Sequence, residues 1–282
     1  MNRDGAGHVR LDCVVKEYGD KRVLGGLTLE IPPGKFVALV GPSGCGKTTI
    51  INQIAGYEAP DHGNITLDGE LVDEPGWNRL VVFQETALFP WKTTLENVTF
   101  GPLNRGMPKD EVIDQARTLI EQFGLSGFEE KFPVQLSGGM QRRAQLARAM
   151  INSPSVMLMD EPFRGLDALT RVLMQEYLLR LFDEHPITTV FVTSEIEESI
   201  YLADRVIVLS NSPTVVKKMI DVDLPRPRDV RMLSSKRFGE IHGEILECLF
   251  EEAAKAFNTG VSGASDILEG AAGILANTRR TA

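Results

Sequence analysis

The chain has 282 residues, 43% hydrophobic and 24% charged, enough to bury a core without disulfides or metal staples, and it fits one large domain or two small ones. Acids outnumber bases, 39 Asp and Glu against 30 Lys and Arg, for a formal charge of −9; this argues against nucleic acid as a partner, because phosphate contacts need clustered Lys and Arg. Cys13, Cys45 and Cys248 are far apart and read as reduced cytosolic thiols, charge-free stretches such as Val206–Val216 fall short of the roughly 20 apolar residues of a membrane span, and Met1–Arg10 lacks the apolar core of a signal peptide.

In chain order, Val9–Val15 and Gly26–Ile31 alternate loosely and predict strands, with Pro32-Pro33-Gly34 as a turn. Phe36–Val40 (FVALV) is an unbroken apolar run, the mark of a strand buried on both faces. Thr48–Gly56 predicts a helix stopped by its glycine. Asn64–Leu71 predicts a hairpin turning at Asp68-Gly69. Leu80–Phe83 predicts another buried strand. Lys109–Phe123 carries apolar residues at helical spacing, and Gly138–Met150 predicts a further helix. Val156–Met159, Thr189–Thr193 and Val206–Leu209 predict short strands, the first two separated by a helical stretch over Leu166–Glu184. Strands alternating with helices imply an α/β fold with a mainly parallel sheet, preceded by a more antiparallel part. Composition shifts at Leu224–Arg228. Phe238–Phe257 then shows one apolar helical face, and Asn258–Ala282, rich in Gly, Ala and Ser, predicts a loose tail.

Gly41-Pro42-Ser43-Gly44-Cys45-Gly46-Lys47-Thr48 fits G-x-x-x-x-G-K-[ST], with a strand before it and a helix after. Such a turn points backbone N–H groups at phosphate oxygens, and the helix N-terminus adds its dipole. Lys47 can reach the β- and γ-phosphates, the Thr48 hydroxyl can coordinate Mg²⁺, and Thr49 completes the nucleotide-binding set. Val156–Glu161 pairs an apolar strand with two carboxylates at its C-terminal end, the edge where open α/β sheets bind ligands. Asp160 is placed to hold Mg²⁺ through water and Glu161 to polarise an attacking water. Together these residues indicate a nucleoside triphosphate hydrolase.

Leu136-Ser137-Gly138-Gly139-Met140-Gln141 narrows the class. It resembles the signature motif, usually L-S-G-G-Q, of ATP-binding cassette (ABC) ATPases, and it stands before the acidic strand as in that family. Other elements match in order. Tyr18 sits where an aromatic stacks on adenine, Gln84 where the Q-loop glutamine reaches the metal and the attacking water, and Gly165-Leu166-Asp167 where the D-loop lies. The resemblance spans about residues 8–225. It implies a P-loop ABC ATPase core with a mainly parallel sheet, an antiparallel β subdomain and a helical subdomain at about 90–150 carrying the signature. The nucleotide-binding domain would be 1–224 and a short helical extension with a loose tail 225–282. The strings LFPW (88–91), NVTFG (97–101), EPF (161–163) and LPRPRD (224–229) are similar to the nitrate/sulfonate/taurine group of importers.

The resemblance also implies ATP and Mg²⁺ as cofactors and a head-to-tail pair of ATPase chains. Each ATP would lie between the P-loop of one chain and Ser137, Gly138 and Gly139 of the other. Multispanning permease subunits and, indirectly, a solute-binding protein would complete the assembly, peripheral on the cytoplasmic face of the plasma membrane. Leu88, Phe89, Pro90 and Trp91 have two readings: the wall of a groove for a short helix of the permease, or plain core.

One position breaks the family pattern. Where T-H-D is usual after the strand, this chain has Thr193-Ser194-Glu195, and none of its four histidines stands at 194. A histidine there would hydrogen-bond the γ-phosphate, and losing one positioned donor commonly costs about 10²–10³ in rate. Three readings stay open: pairing with a non-identical, His-bearing ATPase; a slow homodimer in which Glu161 and Gln84 suffice; or an ATP-binding regulatory or assembly subunit with little hydrolysis.

Overall fold

The structure, a computed structural model, describes residues 5–184 and 186–260. Its centre is a six-stranded sheet in the order β10-β9-β3-β8-β7-β6. Here β3 is Phe36–Val40, β6 Arg79–Val82, β7 Val156–Asp160, β8 Thr188–Val192, β9 Arg205–Leu209 and β10 Val216–Asp221. All neighbours are parallel except β9 and β10. Every residue of β3 and β8 is buried, as expected of strands covered on both faces.

The period-2 alternation of a strand then divides β3 between two cores. Val37 and Leu39 face a layer shared with α1 (Lys47–Ala55) and the small antiparallel sheet, where Leu11, Leu27 and Ile65 meet Ile50, Ile51 and Ile54. That sheet runs β2-β1-β4-β5, with β1 Val9–Tyr18, β2 Lys21–Ile31, β4 His62–Leu67 and β5 Glu70–Leu71. Phe36, Ala38 and Val40 face the helices on the other side. These are α2 (Thr94–Asn104), α3 (Lys109–Gln122), α4 (Gly138–Met150), α5 (Ala168–Glu184), α6 (Ile196–Leu202) and α7 (Lys236–Gly260). Phe36 stacks edge-on against Phe182 of α5 at 5.3 Å.

The fold corrects several element boundaries. β1 continues to Tyr18 and β2 begins at Lys21; the long hairpin has register shifts that blur its alternation. The helix expected from Leu166 starts at Ala168, because Asp167 accepts the Thr170 N–H at 3.0 Å and serves as its start. α7 extends through Asn258 to Gly260; the remainder of the expected loose tail, 261–282, lies outside the described residues. Sequence patterning had not marked α2, α6 or β10.

The Leu224–Asp229 string is anchored by its two arginines. Arg226 pairs with Asp183 at 2.8 Å and Asp204 at 3.0 Å while lying over the Phe182 ring. Arg228 is buried, and its Nη1 donates to the carbonyls of Ile200, Tyr201 and Ala203. Burial pushes its pKa down to about 10, so it stays charged at neutral pH. These arginines seat the chain for α7, whose Phe238, Ile241 and Ile245 complete the helical core.

Candidate functional site: a nucleotide site at the sheet edge

The turn from β3 to α1 is shaped by its glycines. Gly44 and Gly46 have φ of 74° and 104°, a region L side chains rarely adopt. At Gly46 a Cβ would also come within 2.7 Å of Val23 Cγ1. Gly41 closes against Cys45, which is 2% exposed and whose thiol burial pushes above its usual pKa. Cys45 is therefore a small apolar filler within the turn. Pro42 is half-buried, and Ser43 and Gly44 are the exposed part of the loop. The Lys47 ammonium donates to the carbonyls of Gly41 at 2.8 Å and Pro42 at 2.9 Å, spanning the mouth of the loop.

Thr48 Oγ1 donates to Asp160 Oδ2 at 2.8 Å, joining the start of α1 to the end of β7. Burial raises the pKa of Asp160, the Thr48 bond and Lys47 oppose that, and Glu161 adds to it. A hydroxyl and a carboxylate in contact are hard oxygen donors of the kind Mg²⁺ takes, with its remaining positions left to water and phosphate. The residues present therefore fit the ion.

Glu161 follows with φ of 44°, a strained conformation of the sort that clusters at functional sites. Its N–H is fixed on the Val192 carbonyl at 2.9 Å, so the neighbouring strand end sets its place. Its carboxylate pairs with Arg164 Nη1 at 2.9 Å. Ser194 is exposed and lines a small recess with Glu161, Arg164 and Arg171. Behind it Thr193 donates to Glu198, which also accepts from Gln175 at 2.8 Å; this buried relay holds the strand end from beneath. Ser194 and Glu161 are thus neighbours, and among the described residues no histidine adjoins them.

Tyr18, the last residue of β1, lies beside α1. It is half exposed, with its hydroxyl on Glu58 beyond α1 and the Lys16 ammonium 5.5 Å over its ring. Thr49 faces the same phenol. Gln84 follows β6 and is exposed. Its carbonyl accepts from Arg142 of α4, a buried residue that sequence reasoning missed. Arg142 also donates to the Phe83 carbonyl at 2.7 Å.

Ser137, Gly138, Gly139 and Asp167 gather elsewhere. They line one cleft of about 640 Å³ with Arg143, Tyr177 and Arg180. Ser137 is the N-cap of α4, accepting the Met140 N–H at 3.3 Å. Gly139 lies against Thr170, where a Cβ would stand 3.1 Å from Cγ2, so the signature and the start of α5 are tightly apposed. Hydrogen bonds from Thr170 hold Asp167 below its usual pKa. The LFPW cluster divides. Leu88 belongs to the core, because it faces inward beside Val82 and Val98. Phe89 lines an open groove of about 330 Å³ with Trp77, Phe100, Arg105 and Arg148, and Trp91 points outward, 71% exposed.

A sheet-edge phosphate loop joined to a hydroxyl–carboxylate pair defines a P-loop nucleotide hydrolase, and the glycine-opened helix of α4 narrows the class. Residues 24–164 match the family described as ABC transporter. An uncharacterized ABC transporter ATP-binding protein, MJ0412, of Methanocaldococcus jannaschii is 45% identical over 242 residues, 85% of this chain and 90% of that protein. The bicarbonate transport ATP-binding protein CmpD of Synechococcus elongatus is 37% identical over 240 residues, 84% of this chain and 86% of its own. The dimeric structure of MJ0796, a bacterial ABC transporter cassette, superposes with a TM-score of 0.67 at 30% identity, over 77% of this chain and all of that one. The same cassette is known in a post-hydrolysis state bound to ADP and Pi. The chain belongs to the ABC transporter ATP-binding family and is an ATP-hydrolysing subunit of a transporter. Among the described residues no helix is long and apolar enough to cross a membrane.

Proposed function

We propose that this chain powers an ABC importer for a small solute of the nitrate/sulfonate/taurine type, with a slowed hydrolytic step at its own P-loop. The observation that carries the reading is the junction of Lys47, Thr48, Asp160, Glu161 and Ser194 at one sheet edge, with serine at position 194 where the family pattern has histidine. Similarity to CmpD, named as a bicarbonate transport subunit, supports a small-anion importer.

In this reading the backbone of Gly41–Thr48 and the Lys47 ammonium hold the phosphates, while Tyr18 offers its ring to adenine. Thr48, Asp160 and Gln84 would hold Mg²⁺, which supplies charge neutralisation at the phosphates. Glu161 orients the attacking water. Ser194 can donate one hydrogen bond but carries no positive charge and falls short of an imidazole's reach. The separate cleft of Ser137–Gly139 and Asp167 supports a head-to-tail pair, in which a second ATPase chain presents its nucleotide there. A non-identical, His-bearing partner would restore one full-rate site. The groove at Phe89, Phe100 and Trp77 would take a short helix of a multispanning permease subunit. The assembly, served by a solute-binding protein, would sit peripherally on the cytoplasmic face of the membrane.

The Glu161–Arg164 ion pair favours a second reading, a mainly ATP-binding regulatory or assembly subunit, because it occupies the carboxylate that must orient water. Purified chain, assayed alone, separates the readings. On the first reading it binds Mg-ATP and hydrolyses it slowly, and Ser194→His raises kcat by up to about 10²–10³-fold. A lone protein turning over at an ordinary transporter rate would refute the slowed site. No gain from Ser194→His would favour the regulatory reading.

A further inference from the structure

The turn between β9 and β10, residues 210–215, touches three parts of the molecule. On one side it meets α7. Glu252 is 3% exposed, and its Oε2 accepts the Asn211 N–H at 2.9 Å. Its Oε1 accepts Lys217 at 3.0 Å and Lys255 at 2.7 Å. The Asn211 side chain donates back to the Glu252 carbonyl. Burial alone would raise the pKa of Glu252, yet hydrogen bonds from Lys255, the Asn211 N–H and Lys217 outweigh it and hold the carboxylate at about 2.

On its second side the turn is stitched to β2. The Thr214 N–H donates to the Val23 carbonyl at 2.8 Å, and the Gly25 N–H donates to the Thr214 carbonyl at 2.9 Å. On its third side it meets the phosphate loop. Thr214 is fully buried, and its hydroxyl donates to the Cys45 carbonyl. The end of β9 also abuts the loop's beginning, where a Cβ on Gly41 would stand 3.0 Å from Leu209 Cβ.

The consequence follows from peptide geometry. In a planar trans peptide the C=O and the next N–H point in opposite directions. Fixing the Cys45 carbonyl on Thr214 turns the Gly46 N–H away from the β9–β10 turn, and Gly46 is among the loop glycines whose amides receive phosphate oxygens. At Gly46, φ of 104° lies where a residue without a Cβ has wide freedom, so this peptide needs an outside constraint.

We propose that Thr214 and Glu252 are positioning residues of the phosphate site: α7, by gripping the β9–β10 turn through Glu252, keeps the Cys45–Gly46 peptide in the orientation that binds nucleotide phosphates. The C-terminal helix is then a control point. Whatever lifts α7 from the turn weakens ATP binding without touching the nucleotide.

The test is titration of the full chain with a fluorescent ATP analogue, alongside thermal melting. Thr214→Val keeps the shape and removes the hydroxyl; it raises Kd about 5- to 10-fold, the worth of one well-placed hydrogen bond. Glu252→Gln keeps the size and loses the charge, and Glu252→Ala removes the grip; both raise Kd, the alanine more. The Thr214→Val/Glu252→Ala double variant raises Kd by less than the product of the single effects, since both act on one peptide. Glu252 variants that melt earlier yet bind like wild type would overturn the proposal, as would single effects that multiply independently. The proposal rests only on nucleotide binding at the P-loop. The wild-type titration tests that binding, and the ratio of variant to wild type tests the positioning role.

Discussion

Replacing Arg142 with Met tests whether the Q-loop is held by the signature helix. The guanidinium is 4% exposed and donates to the carbonyls of Phe83 at 2.7 Å and of Gln84, and to Gln145 Oε1 at 2.8 Å. Thr86 adds a bond to Gln141 of the same helix at 3.0 Å. Burial lowers the pKa of Arg142 to about 10, which leaves it charged at pH 7. Bonds from a charged donor are worth about 1.5–3 kcal/mol each, but Phe83 and Gln84 are partly exposed, and water recovers part of the loss. The net cost of Arg142→Met is about 2–4 kcal/mol, since methionine retains the buried stem and removes every donor. Denaturant melts read the stability, and hydrogen exchange reads the segment. Amides at 83–86 should exchange faster than in the wild type, by a larger factor than those of β3 and α1, and ATP turnover should fall with them. Arg142→Lys, a point charge without the fork, should lie between. Loss of global stability with unchanged exchange at 83–86 would refute the reasoning.

Gly46→Ala should lose nucleotide binding by more than about tenfold, because alanine at φ of 104° is strained and its Cβ collides with Val23; a titration matching wild type would contradict it. Glu252 makes acid stability a second probe. Its folded pKa of about 2 lies below the unfolded value near 4.3, so its contribution is complete above about pH 4.3 and is lost as pH falls towards 2. Urea melts across that window should show a shallower acid decline for Glu252→Gln than for wild type.

Much of the nucleotide site was legible because its chemistry needs contiguous residues. A phosphate loop requires glycines, lysine and threonine at fixed spacing, and β3 must be buried on both faces, so FVALV-GPSGCGKT announces itself. The signature reads the same way, since Ser137 caps the helix that Gly138 and Gly139 open. Other elements were hidden because their cause is tertiary. α2 carries Gly101 and Pro102 inside it, the two residues that read as helix breakers; the capping box of Thr93 and Glu96 was its available signal. β10 presents Lys217 and Lys218 in an edge strand, a pattern without the apolar run that marks β3. Arg142, Thr214 and Glu252 act through backbone carbonyls or amides distant in sequence, and no spacing rule points to such partners.

The arrangement explains how a chain with an acid excess can hold a polyphosphate. The positive potential is local: loop amides, the start of α1 and the single Lys47, with Asp160 in contact with Thr48 rather than loose in the pocket. Such a site binds through geometry more than through net charge, so its strength depends on what fixes the loop peptides. That places weight on the residues behind the loop. Thr214 fixes one carbonyl, and Val23 leaves Gly46 no room for a side chain. Hydrolysis is separable from this binding. The groups that would orient water, Glu161 and the residue at 194, stand at the ends of β7 and β8, held by Val192 and by the Thr193–Glu198–Gln175 relay. On the proposed reading, a serine at 194 would slow turnover while the contacts of the phosphate loop stay in place. Thr214 and Ser194 substitutions should then divide cleanly, the first moving Kd and the second kcat.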